Sequence, residues 1–493
     1  MMGEIAKGAA WMVLFRLVDR SIGIVSTAVL ARLLIPADFG LVAMAMSIIA
    51  MIELATAFSF EVALIQKAEP GREHYDTAWT LNILLAAGGA VVTAALAYPA
   101  ATFYGDARLV PVMFSIGAAW FVSGFDNVGT VDFRRRMDFS SEFRLLAAKR
   151  IISFVVVIAA AFTFRSYWAL VIGMATGRVA GVVLSYLMQP FRPRPSLECA
   201  RELFSFSGWL LLNNIAIVAV SRVPHFFVGR TFGAQTLGAY TVGSEIAQLA
   251  HTELIAPINR AMFPGYARLA RDPIAFRRTC IDATAAILLI VMPVSIGIAM
   301  LAAPMVRILL GSQWQQTVPI IQVLAFSGAA LALTSNTFAA YLALGRTNLP
   351  TIILLTRLVI LAVAGYLLAS SQGVIGVAYA ELYAAVGSFL VSLPVLFSAL
   401  KIRARDYFAS LWRPLVASCL MGVGLHGLIK ALAGDGSLLA AVYELAVCAP
   451  AGGLVYAGLV WLLWRVSGCP ECVEIQVARK AYALVSGASR KLA

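Results

Sequence analysis

The sequence predicts an all-α polytopic membrane protein of about 14 transmembrane helices, built as two pseudo-symmetric six-helix lobes plus two C-terminal helices. Three observations predict it. Hydrophobic residues make up 61% of the chain and charged residues only 13%, against roughly 45–50% and 25% in soluble domains. Apolar stretches recur along all 493 residues. Six identities at a constant offset of 198 relate the first helices to those in the middle of the chain: Glu4 with Glu202, Trp11 with Trp209, Val25 with Val223, Arg32 with Arg230, Gly40 with Gly238 and Ile48 with Ile246.

A bilayer core about 30 Å thick takes about 20 apolar residues per helix. The stretches lie near 9–34, 38–60, 77–100, 108–130, 144–164, 167–189, 203–230, 236–258, 279–303, 317–342, 350–369, 373–397, 412–432 and 439–465. Turn chemistry separates them, as in Ile35-Pro36-Ala37-Asp38, Tyr104-Gly105-Asp106 and Gly345-Arg346-Thr347-Asn348. Helices one and seven are the least apolar, because Arg and Asp or His sit in their middles. Residues 1–190 form an N-lobe of six helices and 200–400 a C-lobe of six more. Residues 401–466 supply the last two helices, and 467–493 a basic tail.

The 38 Lys+Arg against 25 Asp+Glu give a net charge of +13. With the amino terminus inside, 24 of the basic residues fall in inner segments and only six (Arg32, Arg108, Arg165, Arg230, Arg307, Lys430) in outer ones. The positive-inside rule then places both termini in the cytoplasm. This asymmetry explains the basicity without nucleic acid as a partner. No cleavable signal peptide is expected, because Arg16, Asp19 and Arg20 interrupt the first apolar stretch. All six cysteines are expected as free thiols, and Cys469-Pro-Glu-Cys472 is a C-x-x-C without a second pair.

Catalytic signatures are missing. No lysine follows glycine, which excludes a G-x-x-x-x-G-K phosphate loop, and the four histidines (His74, His225, His251, His426) are scattered without a close ligand pair. The expectation is no cofactor, no metal and no catalytic residue.

Charges inside the helices carry the functional reading. Arg16 and Arg20 share one helical face, which continues through Gly23 and Thr27. The repeat maps this stripe onto Asn214, Val218, Ser221 and His225, with Arg222 beside it. Glu245, Gln248 and Thr252 form a further stripe, while Arg178, Arg357 and Asp126 are isolated charges. An arginine at a bilayer centre costs about 2.5–3.5 kcal/mol, so Arg16, Arg20, Arg178, Arg222 and Arg357 cannot all face lipid. Two readings stand. Asp19 neutralises Arg16 or Arg20, while Arg178 and Arg357 snorkel or bond between helices. Alternatively the arginines line a water-filled cationic cavity for an anionic substrate, with Thr27, Asn214, Ser221, His225, Glu245 and Gln248 as polar lining. Asp19 and Asp126 are candidates for ion coupling. Glu53, Glu245 and Glu381 suit either ion binding or structural hydrogen bonding.

Several segments together resemble a known family: Leu34-Ile-Pro-Ala-Asp-Phe-Gly-Leu-Val-Ala43, Val62-Ala-Leu-Ile-Gln66, Phe103-Tyr-Gly-Asp106, Asp132-Phe-Arg-Arg-Arg-Met137, Tyr167-Trp-Ala-Leu170, Phe206-Ser-Gly-Trp-Leu210 and Leu342-Ala-Leu-Gly-Arg-Thr347. In this order, to about residue 400, the chain resembles the polysaccharide transporter family, in the colanic-acid-exporter-like branch of the multidrug/oligosaccharidyl-lipid/polysaccharide superfamily. The resemblance implies a bacterial inner-membrane flippase that moves undecaprenyl-diphosphate-linked oligosaccharide to the periplasmic leaflet by alternating access. One departure is Pro224-His225, where relatives often carry Asp at the histidine and lack the proline. Membrane lipids, H+ or Na+, and other polysaccharide assembly proteins are the further partners this implies.

The physical reading agrees, because a lipid diphosphate needs a positive cavity and a gap for its tail. A cation-coupled drug antiporter of the same superfamily is the alternative, and it requires an acidic cavity residue more than arginines. A membrane glycan-transferring enzyme is a third. The tail from Val473 to Leu492 reads either as a surface helix on the anionic cytoplasmic leaflet or as disordered chain.

Overall fold

The computed structural model describes residues 2–55, 60–67, 69–346, 348–432 and 437–468, and among these every regular element is a helix. In chain order they are α1 (Met2–Leu33), α2 (Pro36–Ala55), α3 (Phe60–Gln66), α4 (Arg72–Tyr104), α5 (Leu109–Ser123), α6 (Val131–Arg135), α7 (Phe139–Phe164) and α8 (Trp168–Met188). They continue with α9 (Ala200–Ala247), α10 (Ala256–Leu269), α11 (Pro273–Met300), α12 (Ala302–Leu309), α13 (Val318–Ala343), α14 (Asn348–Leu400), α15 (Ala404–Leu432) and α16 (Leu438–Val466). Cys469 and Cys472, with the rest of the basic tail, lie outside the described residues.

Among the described residues nine helices are long and apolar enough to cross a bilayer, or ten if α5 and the bent segment after it form one span. Two of the long helices are interrupted by a glycine. At 53 residues α14 would measure about 80 Å if straight, more than twice the hydrocarbon thickness. It instead reverses at Gly373, whose φ of 64° lies in the left-handed region, and its arms pack so that Arg357 and Glu381 come within 3.8 Å. A left-handed Gly233, φ 78°, likewise divides α9, and the ring of His225 meets that of Tyr240 at 5.7 Å across the reversal.

The chain forms two compact units, residues 1–241 and 242–493, with the boundary inside the second arm of α9. In the first unit α7 packs on α8 and α1, α4 on α5, and α5 on α8. Small residues permit these approaches. Gly173 and Gly177 lie one turn apart on α8, against Val157 and Ser153 of α7, and Ser153 Oγ donates to the Gly173 carbonyl at 2.8 Å. Without a hydrophobic driving force between helices in lipid, such close backbone contact supplies the packing energy.

The closest approach joins α2 to the second arm of α9. A Cβ on Gly40 would lie 1.7 Å from the Ala234 carbonyl oxygen, and one on Gly238 would lie 1.8 Å from the Pro36 carbonyl oxygen. The contact is reciprocal, since Pro36 and Ala234, like Gly40 and Gly238, are 198 residues apart. A local twofold axis therefore relates the starts of the two helices.

Buried Asp38 fixes the same end. Its carboxylate accepts from the backbone N–H of Ile35 at 3.1 Å and of Tyr167 at 3.0 Å, tying the α1–α2 turn to the α7–α8 turn. At the opposite, arginine-rich end the chain bends by 65° after α5. Asn127 holds the bend: its Oδ1 accepts from Gly129 N at 2.9 Å and its Nδ2 donates to the Phe191 carbonyl at 2.8 Å.

The second unit is built around α13, which packs on α14, α11 and α10, while α11 packs on α15 and α15 on α16. A chain of buried polar groups links three of its helices. Tyr266 Oη donates to Asn336 Oδ1 at 2.9 Å, Asn336 Nδ2 to Thr284 Oγ1 at 3.0 Å, and Thr284 Oγ1 to the Cys280 carbonyl at 2.8 Å. Ile296, Leu301, Met421, Leu425 and Cys448 form an apolar cluster between α11, α15 and α16.

Gly40→Ala is expected to force α2 off the second arm of α9 and cost about 1–3 kcal/mol. The thermal midpoint in detergent should fall, while Gly88→Ala, where a Cβ meets nothing within 4 Å, should leave it in place. Equal midpoints for both variants would refute the contact.

Candidate functional site

On α1, Arg16, Asp19 and Arg20 are all half-buried, as is Thr27 two turns further on. Asp19 does not turn to its neighbours on α1 alone. Its Oδ1 forms an ion pair with Arg150 of α7, 2.8 Å from the Nε, and the Arg150 guanidinium also lies 3.4 Å from where a Gly23 Cβ would stand. Packing of α7 on α1 thus adds a cation to the stripe. Three guanidiniums (Arg16, Arg20, Arg150) and the Asp19 carboxylate lie along this stretch of α1 and α7. The sequence reading missed Arg150 because it lies near the start of a different helix, where it resembles an ordinary flanking charge.

Arg178 of α8 donates to Glu53 of α2 at 2.6 Å, with both side chains partly buried. In the second unit Arg357 and Glu381 approach to 3.8 Å across the α14 reversal. For these two arginines the structure realises the interhelical alternative, and Glu53 and Glu381 are the partners. Arg222 lies half-buried on the first arm of α9, and its Nε is buried with no hydrogen-bond partner among the described residues. Ser221 Oγ turns back to the Val218 carbonyl at 2.9 Å. His225 packs edge-on against Tyr240. The side chain of Asn214 is outside those described. Glu245 is exposed and Gln248 half-buried, both in the second unit.

Asp126 sits in the break between α5 and α6, where it lines a cavity of about 160 Å³ with Glu61, Arg134, Glu142 and Lys149. Its Oδ1 is buried without a hydrogen-bond partner among the described residues. Arg134 does not face the cavity as a spare charge, since it binds Glu142 at 2.6 Å and Glu61 at 3.2 Å. Next to it Tyr75 Oη donates to Asp132 at 2.5 Å and accepts from Arg135 at 2.8 Å. The run Asp132-Phe-Arg-Arg-Arg-Met137 is thus an ionic latch over the ends of α3, α4 and α7. On the facing end of the unit, Arg108 holds the Asp106 carboxyl below the usual range through a 2.7 Å ion pair.

One expectation needs correction. The histidines looked scattered, yet His74 lies with Cys199 and Glu202 so that one ligand atom of each falls within 4.8 Å of the others. A separation of 125 residues hid the pairing of His74 with Cys199 from any spacing rule.

The fold defines a class: a multi-pass membrane protein, helical throughout its described regular structure, whose helices carry arginines paired with carboxylates. The chain shares its fold with the lipid II flippase MurJ in its inward closed conformation, at a TM-score of 0.73 over 92% of this chain and 99% of that one, with 13% identity. It also matches a multidrug resistance transporter of the MATE family in an inward-facing conformation, at a TM-score of 0.53 and 19% identity over 79% of this chain and 95% of that one. Residues 29–319 match the family model described as polysaccharide biosynthesis protein, and the chain belongs to that family. Among curated relatives, the teichuronic acid biosynthesis protein TuaB of Bacillus subtilis is 22% identical over 93% of this chain and 95% of its own length. The lipopolysaccharide biosynthesis protein WzxC of Escherichia coli is 22% identical over 85% and 88%. The succinoglycan biosynthesis transport protein ExoT of Rhizobium meliloti is 23% identical over 69% of each. Transporters and flippases, rather than enzymes, are what the chain resembles in sequence and fold.

Breaking the Arg178–Glu53 pair from one side strands a charge between helices. Arg178→Leu and Glu53→Leu should each destabilise the protein by about 3–5 kcal/mol, and the double variant by clearly less than the sum. A double-mutant cycle on unfolding in detergent measures this. Additive losses would show that the two residues do not depend on each other.

Proposed function

We infer that the protein is a flippase for undecaprenyl-diphosphate-linked oligosaccharide, carrying polysaccharide repeat units from the cytoplasmic to the periplasmic leaflet of the bacterial inner membrane. The observation that carries this reading is membership of the polysaccharide biosynthesis family, with Arg16 and Arg20 of α1 and Arg150 of α7, the last paired with Asp19, as the cationic groups that a diphosphate would use. Transport by its relative ExoT and the lipid II flippase fold support it.

The proposed fourteen crossings, with lobes at 1–190 and 200–400 and both termini inside, suit transport by alternating access. Guanidiniums suit the diphosphate, since each presents several donors to phosphate oxygens without losing its charge. Arg16, Arg20 and Arg222 are the proposed head-group contacts. Thr27, Asn214, Ser221 and His225 are the proposed polar partners for the sugars. Arg178 and Arg357, held by Glu53 and Glu381, are proposed to hold helices together rather than to carry the head group. Asp126, in its own cavity lined by Glu61, Glu142 and Lys149, is the candidate for proton or sodium coupling.

Proteoliposomes containing a fluorescent undecaprenyl-diphosphate oligosaccharide test this. Arg20→Ala and Arg222→Ala should each slow transfer at least tenfold, the loss of about 1.4 kcal/mol of binding, while Arg108→Ala at a helix junction should not. Equal rates in all variants would sink the site, and no transfer by the wild type would sink the function in favour of an antiporter.

An inside-negative potential favours outward movement of anionic charge by about 2.3 kcal/mol per charge per 100 mV. Collapsing the potential while keeping the pH gradient should therefore slow transfer, and an unchanged rate would exclude electrical driving.

A further inference from the structure

At the arginine-rich end of the first unit, three side chains of metal-ligating type converge outside the transport stripe. His74 leaves the first turn of α4, Cys199 stands just before α9, and Glu202 lies in its first turn. One ligand atom of each lies within 4.8 Å of the other two. His74 Nε2 is 3.4 Å from a Glu202 carboxylate oxygen, and His74 Nδ1 is 3.5 Å from Glu73. The backbone that presents the thiol is fixed to α4. Cys199 N donates to Thr77 Oγ1 at 3.3 Å, Ser196 N to Thr80 Oγ1 at 2.9 Å and Arg194 N to Asp76 at 2.9 Å.

Imidazole, thiol and carboxylate are the donor set of Zn²⁺ and its neighbours, whereas Ca²⁺ and Mg²⁺ take mainly oxygens. A cation already occupies the spot. Lys67 Nζ donates to Glu202 at 2.7 Å and contacts His74 Nε2 as well. An ammonium held between an imidazole nitrogen and a carboxylate marks where positive charge is stabilised. The Lys67 side chain is 34% exposed, so it can swing into solvent when a better cation arrives.

We propose that His74, Cys199 and Glu202 form a binding site for a divalent transition metal of the Zn²⁺ type, which displaces Lys67. A water completes the tetrahedron, and Glu73, on the Nδ1 side of the ring, orients the imidazole. The bound ion would staple the start of α4 to the start of α9, and so fix the 189–199 segment that joins α8 to α9. The proton of the thiol goes to solvent on binding, and no redox change is involved.

The test uses the full chain in detergent with Cys469→Ser and Cys472→Ser, so that the tail thiols do not compete. Co²⁺ is titrated in and then displaced by Zn²⁺. One equivalent should bind with thiolate-to-cobalt charge-transfer absorption. Cys199→Ser should abolish that band, His74→Gln should weaken binding at least tenfold, and Lys67→Met should tighten it. Absence of the band in the Cys469→Ser/Cys472→Ser protein, or its persistence in Cys199→Ser, overturns the site. Unchanged affinity in Lys67→Met overturns the displacement.

Discussion

No water reaches the hydrocarbon core of a bilayer, and the structure of this protein follows from that constraint. Every backbone amide in a spanning segment must bond within its own helix, so among the described residues the regular structure is wholly helical. Charges inside those segments face the same demand. Arg178 meets it with Glu53, Arg150 with Asp19 and Arg357 with Glu381. Each pair joins two helices or two arms of one. The charges that hydropathy marks as defects are thus also the ones that fix helix neighbours.

Where apolar helices meet, lipid competes equally well for their side chains, and packing has to come from close backbone approach. Gly173 and Gly177 serve this on α8, and Gly40 and Gly238 serve it more severely, with no room for a single added carbon. The reciprocity of that last contact gives a structural meaning to a sequence repeat that consists of a few identities. The ends of the first unit are held by other means, since backbone there leaves its helices and needs polar partners. Asp38 and Asn127 supply them, one at each end. Residues in the family-like segments therefore largely hold the scaffold: Asp38 bridges two turns, and Asp132, Arg134 and Arg135 latch three helices. Arg16 and Arg20 on α1 and Arg150 on α7 lie outside every one of those segments.

Composition, the apolar stretches and the positions of the charges determined by themselves that this is a helical membrane protein, because burial in lipid leaves so few solutions. The i, i+4 spacing of Arg16 and Arg20 placed both on one face for the same reason: helical geometry is local. Only the tertiary structure decided which charge meets which. Arg150 reaches Asp19 from another helix, Glu53 finds Arg178 across 125 positions of chain, and His74 meets Cys199 over the same separation. Long-range pairing depends on how helices pack and where glycines let the chain reverse, as at Gly233 and Gly373. No local period or spacing encodes that.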